Sequence, residues 1–249
     1  MQQESILEAV NLTKHFGAIK AVDGVSFALH PGECVGLVGD NGAGKSTIIK
    51  MLSGYHEPTS GEIRIAGKPV KFGSPNDSRT HKIETVYQNL ALVNQIDVPG
   101  NFFLGRELYK FNARWLGWLD HKEMAIRASS ELDRVGVNVP SMIAPVATMS
   151  GGQRQGIAIA RSVFWGSNCL ILDEPTAALG VKETANVAKQ IEQVRDSGVA
   201  VLLVAHDIDL VKRICNRIVV LRQGKVWSEI MADEVNTSDI VHHITGTMQ

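Results

Sequence analysis

The chain has 249 residues, 44% of them hydrophobic and 20% charged, a composition typical of a globular protein with a sizeable core. Its formal net charge is -1, so composition does not point to nucleic acid as the main partner. The N-terminus, with Gln3 and Glu4, lacks the apolar core of a secretory signal, and no run approaches the roughly 18 apolar residues of a membrane-spanning helix. We therefore expect a soluble protein whose membrane contacts, if it has a membrane role, come through a partner.

The first part of the chain alternates short apolar runs with turns. Strands are predicted at 6–12, 25–29 and 62–65, and the apolar run 33–38 ends at a glycine-rich segment. Helical spacing of apolar residues follows directly at 46–52, so the local order is strand, loop, helix.

The middle region, 90–165, differs because it combines helical stretches such as 121–135 with proline-containing loops. We interpret it as an inserted, mainly helical lobe. Beyond it strands and helices alternate again, at 169–172, 182–195, 199–204, 207–214, 217–221 and 237–245. Such alternation is typical of a parallel sheet covered on both faces.

The glycine-rich segment fits the phosphate-loop pattern G-x-x-x-x-G-K-[ST]. It comprises Gly39, Asp40, Asn41, Gly42, Ala43, Gly44, Lys45, Ser46 and Thr47. Glycines let the backbone curl so that successive N–H groups point at phosphate oxygens, and the following helix presents its positive end to the anion. In this pattern Lys45 reaches the β- and γ-phosphates and the Ser46 hydroxyl is a Mg²⁺ ligand. The segment therefore predicts ATP binding.

An apolar run at 170–172 ends in two acids, Asp173 and Glu174. A buried strand would deliver Asp173 to Mg²⁺ beside the phosphates, and Glu174 would accept a proton from an attacking water. The alternative is a pair of ordinary solvated carboxylates at a strand end, which the preceding phosphate loop makes the weaker interpretation.

A second polar and glycine-rich segment precedes a helix predicted at 156–163. Its residues are Ser150, Gly151, Gly152 and Gln153. Ser150 fits a helix N-cap, which could be its whole role. The functional alternative is a second phosphate-binding helix start. Because the chain already has one phosphate site, we infer that this segment completes a site shared with a partner subunit.

Along the chain the phosphate loop is followed by Gln88, segment 150–153, the two acids and His206. This is the order found in the ATP-binding cassette (ABC) ATPases, which the chain resembles over nearly its whole length. The resemblance implies a homodimer with two ATP molecules at its interface. It assigns Gln88 to Mg²⁺ or water contact, His206 to the γ-phosphate and Phe16 to stacking on adenine. Taken alone, Gln88 is better interpreted as a surface amide and Phe16 as a core aromatic, and His206 could be a structural histidine.

The segments 84–92, 101–107 and 173–180 resemble the ATPases of bacterial monosaccharide importers of the fructose and ribose types, in the single-cassette form. The resemblance implies an α/β P-loop NTPase fold in one domain: a core of 1–89 and 166–249 with an N-terminal antiparallel β subdomain, and a helical subdomain at 90–165. It also implies multi-span permease subunits and, indirectly, a sugar-binding protein as partners, no nucleic acid, and a peripheral position on the cytoplasmic face of the cell membrane.

Gly180 departs from this pattern, because the wider family usually has an Asp there that links the two ATP sites. The coupling between the sites is therefore left open. Two other functions remain as alternatives: a soluble ABC ATPase acting on DNA or ribosomes, and a nucleotide sensor that does not hydrolyse ATP. Coiled-coil or basic extensions would favour the first but are not seen, and Glu174 with His206 argues against the second.

Overall fold

The structure, a computed structural model, describes residues 4–110, 115 and 117–246. The strands are β1 (Leu7–Phe16), β2 (Ile19–Leu29), β3 (Cys34–Gly39), β4 (Ser60–Ile65), β5 (Lys68–Val70), β6 (Ile83–Val86), β7 (Cys169–Asp173), β8 (Ala200–Val204), β9 (Arg217–Arg222) and β10 (Lys225–Met231). The helices are α1 (Lys45–Leu52), α2 (Pro75–Thr80), α3 (Val98–Phe103), α4 (His121–Arg134), α5 (Gly151–Phe164), α6 (Val181–Asp196), α7 (Ile208–Ile214) and α8 (Thr237–Thr245).

The larger sheet that these residues form has the strand order β10-β9-β3-β8-β7-β6, with β10 antiparallel and the other neighbours parallel. Strand β3 is buried along its whole length, and its side chains alternate between two cores. Val35 and Leu37 face α1, whereas Cys34 and Val38 face the core that contains α5 and α6. Burial on both faces explains why these strands read as continuous apolar runs.

The smaller sheet has the order β2-β1-β4-β5 and is antiparallel within the described residues. Its inward side chains, including Leu12, Leu29 and Ile63, pack in the same core as Ile48 and Ile49 of α1. Together the two sheets confirm the predicted fold class, an α/β core with an N-terminal antiparallel sheet.

Helices α3, α4 and α5 lie in the region predicted as a helical lobe. Phe102, Met124 and Leu132 from α3 and α4 are buried in one core with Ile157 of α5. That core also contains Leu172 of the larger sheet, so the helical region packs directly against it. The boundaries 1–89, 90–165 and 166–249 stay a prediction.

Several element boundaries differ from the sequence prediction. Helix α5 begins at Gly151 rather than at residue 156, because a capping box at Ser150 starts the helix inside the glycine-rich segment. Strands β5, β6 and β10 and helices α2 and α3 were missed. Each has six or fewer residues except β10, whose exposed edge position leaves only partly buried side chains at alternate positions.

Cys34, Cys169 and Cys215 are buried free thiols, and the Sγ atoms of Cys34 and Cys215 lie 3.6 Å apart. Burial raises the pKa of the Cys169 thiol to about 12. Among the helices of the described residues, none is both long and apolar enough to cross a membrane.

Candidate functional site: a phosphate loop at the carboxyl edge of the sheet

The loop between β3 and α1 needs glycine at two positions for reasons of space as well as backbone angle. Gly39 has φ 149°, and a Cβ there would overlap the Leu221 carbonyl oxygen. Gly44, the N-cap of α1, has φ 108°, and its Cβ would lie 2.7 Å from the Ala21 carbonyl oxygen. These close approaches hold the loop against β2 and β9, with its amides at the start of α1.

Lys45 lies over this loop with its side chain folded back. Its Nζ donates to the Gly39 carbonyl at 2.6 Å and to the Asp40 carbonyl at 3.0 Å, and the residue is 7% exposed. Burial lowers the pKa of Lys45, while the charges of Glu174, Asp40 and Asp173 oppose that shift. Within the part of the chain that the structure describes, the hydrogen bonds of this poorly hydrated ammonium go to neutral carbonyls, which a stronger anionic acceptor can replace.

Asp173 is the last residue of β7, at the same edge of the sheet as the loop. In the parallel register Asp173 pairs with Val204 of β8, and Val204 pairs with Leu37 of β3, two residues before Gly39. The carboxyl ends of the parallel strands β7, β8 and β3 therefore bring Asp173 to the same edge of the sheet as the phosphate loop.

The Asp173 carboxylate is electrostatically unusual. Burial, reinforced by the negative charge of Glu174, raises its pKa, and Lys45 only partly offsets this. A carboxylate short of compensating positive charge is suited to binding a cation.

Glu174 and His206 form a pair beside Asp173. The Nε2 of His206 lies 3.0 Å from the Glu174 Oε1. Glu174 has φ 52°, in the left-handed region that costs energy for a side-chain-bearing residue, and its amide donates to the Val204 carbonyl at 2.8 Å. The strained turn directs the carboxylate toward the end of β8, where His206 follows two residues after Val204.

The side chains of Gln88 and Phe16 are both exposed at the protein surface. Gln88 follows β6 by two residues and lines a cavity of about 300 Å³ with Gly151, Arg154 and Leu179. Phe16 ends β1 and is 43% exposed, which contradicts a core role. Its ring contacts His56 edge-on, with centroids 5.3 Å apart.

Ser150 caps α5, as its sequence context predicted. Its Oγ accepts from the Gln153 amide at 3.3 Å, and the Gln153 Oε1 accepts from the Ser150 amide at 2.9 Å. In the described residues segment 150–153 contacts Asn138 of the helical region, Leu179, and Glu183 of α6, and not the phosphate loop. The single chain therefore unites residues 39–47 with Asp173, Glu174 and His206, and leaves Ser150, Gly151, Gly152 and Gln153 apart.

Sequence reasoning missed Glu183, which lies against segment 150–152. A Cβ on Gly152 would lie 3.1 Å from the Glu183 Cβ, and one on Gly151 would lie 2.8 Å from the Leu179 Cδ2. The hydrogen bond from the Gly180 amide, and to a smaller extent the nearby Ser150 hydroxyl and Gly152 amide, hold the pKa of Glu183 below its usual value. The G-x-x-E spacing at the start of α6 could have revealed a helix cap, but not the contact with α5.

Comparison with known proteins identifies the family. The model of the family described as ABC transporter matches residues 22–177. The chain is 43% identical to the fructose import ATP-binding protein of Rhizobium meliloti, covering 100% of this chain and 97% of the relative. It is 40% identical to the xylose/arabinose import ATP-binding protein of Sulfolobus acidocaldarius, covering 97% and 94%. A ribose import ATP-binding protein of Escherichia coli O157:H7 is 36% identical, and the chain spans 47% of its length.

Solved structures agree in fold. A nucleotide-free ATP-binding cassette from an ABC transporter superposes with a TM-score of 0.81 at 21% identity, over 97% of this chain and 95% of the other. A second cassette, solved as a dimer, gives a TM-score of 0.75 at 24% identity, over 91% and 98%. The family predicted from the order of the motifs is confirmed: the chain belongs to the ABC transporter family and has the fold of its ATP-binding cassette.

Proposed function

We propose that the chain is the ATP-binding and ATP-hydrolysing subunit of an importer for a simple sugar. The observation that carries the proposal is the Glu174–His206 pair beside Asp173 and Lys45 at the edge of the sheet. Full-length similarity to the fructose and xylose/arabinose import ATP-binding proteins supports the sugar class.

The phosphate loop would hold the triphosphate of ATP. Lys45 would transfer its hydrogen bonds from the Gly39 and Asp40 carbonyls to the β- and γ-phosphates, since an ionised acceptor forms a stronger bond than a neutral one. The amides at the start of α1 would bind the phosphate oxygens. The exposed ring of Phe16 would stack on adenine.

The water that attacks the γ-phosphate would give its proton to Glu174. A positioned general base typically accelerates such a step by ~10²–10⁴-fold. His206 would orient the Glu174 carboxylate. Once ATP is bound, His206 would donate a hydrogen bond to the γ-phosphate in place of its contact with Glu174.

The donor set at the edge of the sheet fits Mg²⁺. Within the described residues no group of three or more His, Cys, Asp or Glu side chains could hold a metal ion alone. A hydroxyl from Ser46, a carboxylate from Asp173 and an amide oxygen from Gln88, completed by phosphate oxygens and water, are the hard oxygen ligands that Mg²⁺ prefers. When bound, the ion would neutralise charge on the phosphates.

The active unit would be a homodimer in which each ATP lies between the loop of one subunit and segment 150–153 of the other. Ser150 is exposed and begins a helix of 14 residues, so its end carries free amides and a favourable dipole for a phosphate.

Dimer closure would drive paired multi-span permease subunits at the cytoplasmic face of the membrane, with a sugar-binding protein delivering the substrate. The region 90–165 would form the helical subdomain that meets the permease. Trp115 and Trp118 are 85% and 60% exposed, which favours a role for these side chains in a contact surface. Their neighbours Arg114 and Leu116 lie outside the described residues.

Phosphate release from purified protein tests the proposal. We expect Mg²⁺-dependent release that Lys45→Ala abolishes, and Glu174→Gln should bind ATP without turnover and accumulate as a dimer in light scattering. Co-purification with a permease and a sugar-binding protein would support the importer. Absence of Mg²⁺-dependent release even with the permease present would favour the nucleotide sensor instead.

A further inference from the structure

Three aromatic rings contact one another at the surface beyond the end of α1. The ring centroids of Phe16 and His56 lie 5.3 Å apart with their planes at 70°, and those of His56 and Tyr55 lie 5.5 Å apart at 76°. Edge-on pairs at these separations are attractive, because the positive edge of one ring meets the negative face of the other. Phe16 and Tyr55 are exposed and His56 is half-buried, so His56 is a neighbour that limits the orientation of the Phe16 ring.

Segment 55–59 ties His56 to both α1 and β1. The His56 amide donates to the Lys50 carbonyl, in the last turn of α1, at 2.9 Å. The Thr59 amide donates to the Thr13 carbonyl of β1 at 2.8 Å, so the segment bridges the two elements. Because α1 begins at the phosphate loop, the position of His56 is set by the same helix that would hold the phosphates.

The His56 imidazole is mainly uncharged at neutral pH. Burial, followed by the positive charges of Lys50 and Lys14, lowers the pKa of His56 below the ordinary histidine value of about 6.5. Lys14 is held nearby, because its Nζ donates to the Glu57 carbonyl at 2.6 Å and lies 5.4 Å from the Phe16 centroid. The contact between His56 and Phe16 therefore joins two neutral rings, and another aromatic side chain can reproduce it.

Phe16 lies at the tip of the β1–β2 hairpin, where an exposed side chain can rotate. It pairs with Ile19 across the turn and is followed by Gly17, whose backbone is left-handed with φ 59°. Ordering a mobile side chain on binding costs conformational free energy, and a ring that is already held avoids that cost. The contact with His56 therefore prepares Phe16 for a planar ligand.

We propose that His56 is a positioning residue for the base of ATP: its ring holds the Phe16 ring in the orientation that stacks on adenine. This rests on the proposed function, because it assumes that Phe16 stacks on the base. The role is confined to the base, since the phosphate loop holds the triphosphate. Loss of the His56 ring should therefore weaken binding of ATP without weakening binding of a triphosphate that has no base.

The test measures ATP hydrolysis by the full chain, with inorganic tripolyphosphate as a competitive inhibitor that carries phosphates but no base. We expect His56→Ala to raise the KM for ATP by about 3- to 10-fold, the range that loss of an aromatic pair produces. The kcat should not change, because the lost interaction is the same in the ground state and the transition state. The inhibition constant of tripolyphosphate should also stay constant, and His56→Phe, which keeps a ring, should restore the parent KM.

The matched control is His81→Ala. His81 is another histidine packed against an aromatic ring, with its centroid 5.7 Å from that of Phe72, but it lies at the end of α2. Its KM should equal that of the parent. A double variant that combines Phe16→Ala with His56→Ala should have the KM of Phe16→Ala alone, because a residue that acts through Phe16 adds nothing once that ring is gone.

An unchanged KM in His56→Ala, or a double variant whose KM rises by the product of the two single effects, would overturn the role of His56 alone. A weaker inhibition by tripolyphosphate in His56→Ala would also overturn it, because the substitution would then disturb the phosphate loop.

Phe16→Ala separates these outcomes from failure of the proposed function. Loss of base stacking should raise its KM for ATP by about 10-fold or more. An unchanged KM in Phe16→Ala would refute stacking on adenine and the role of His56 with it. Absence of hydrolysis by the parent would refute the ATPase itself.

Discussion

The Nε2 of His206 lies 3.0 Å from the Oε1 of Glu174, across the ends of two adjacent parallel strands. The pair depends on β7 and β8 being neighbours in the sheet and on the left-handed backbone of Glu174. The side chains of His206 and Glu174 are 53% and 28% exposed, so a ligand can reach them and replace their contact. The geometry suits a histidine that orients a general base.

His206→Ala should lower kcat for ATP hydrolysis by about 10²-fold, because a misplaced base loses most of its effect. The KM for ATP should change less than threefold, since the loop that holds the β-phosphate is intact. Steady-state phosphate release measures both constants. A variant with unchanged kcat would show that His206 does not position Glu174.

Gly44→Ala and Gly42→Ala should separate close packing from backbone strain in the phosphate loop. Both have positive φ, 108° and 81°, but a Cβ at Gly44 would lie 2.7 Å from the Ala21 carbonyl, whereas one at Gly42 meets nothing within 4 Å. Strain alone costs about 1–2 kcal/mol. Urea unfolding should therefore show a larger loss for Gly44→Ala, accompanied by loss of ATP binding. Equal losses would contradict the packing role.

Asp173→Asn should stabilise the nucleotide-free protein while abolishing turnover. The pKa of Asp173 is raised by burial, so the folded state binds its proton more tightly than the unfolded chain. The free energy of unfolding therefore falls as the pH rises from the ordinary aspartate pKa, about 3.9, through the raised pKa of Asp173 in the folded state.

At pH 7 the asparagine variant should gain on the order of 1 kcal/mol, or about 2–4 °C in Tm. The gain should disappear near pH 3, where the carboxyl is protonated in both states. Thermal unfolding at the two pH values measures it. A variant less stable than the parent at pH 7 would show that Asp173 is compensated in the folded state.

Gly156→Ala should destabilise the contact between α5 and α6, even though alanine favours helices. A Cβ at this position would lie 2.9 Å from both Val137 methyl groups and 2.9 Å from the Gln190 Oε1. Overpacking of this kind typically costs about 1–3 kcal/mol, against roughly 1 kcal/mol gained in helix propensity. Denaturant unfolding decides the sign. A more stable variant would mean that Val137 and Gln190 move aside readily.

Elements and motifs are predicted most accurately from the sequence where local residue preferences agree with the final fold. The phosphate loop, the apolar run before Asp173 and the cap at Ser150 each follow from short-range rules, and the parallel core follows from alternating elements. Short elements such as β5 and α2 escaped prediction because they have too few residues to show a period.

The residues at the site could be named from sequence, but the contacts between them could not. Order along the chain identified Asp173, Glu174 and His206; the contact between the last two depends on strand order and register. Glu183 shows the limit most clearly, because its contact with Gly152 joins residues about 30 positions apart and depends on a residue without a side chain at 152.

The sequence by itself determined the family and the nucleotide loop, because a loop that binds phosphate through its own amides needs only glycines, Lys45 and a following helix in consecutive order. The tertiary structure alone decided which side chains from distant elements meet. Glu174 lies beside His206 because β7 and β8 are neighbours in the sheet, and Glu183 lies against Gly152 because α6 packs on α5; neither contact follows from the order of the elements in the chain.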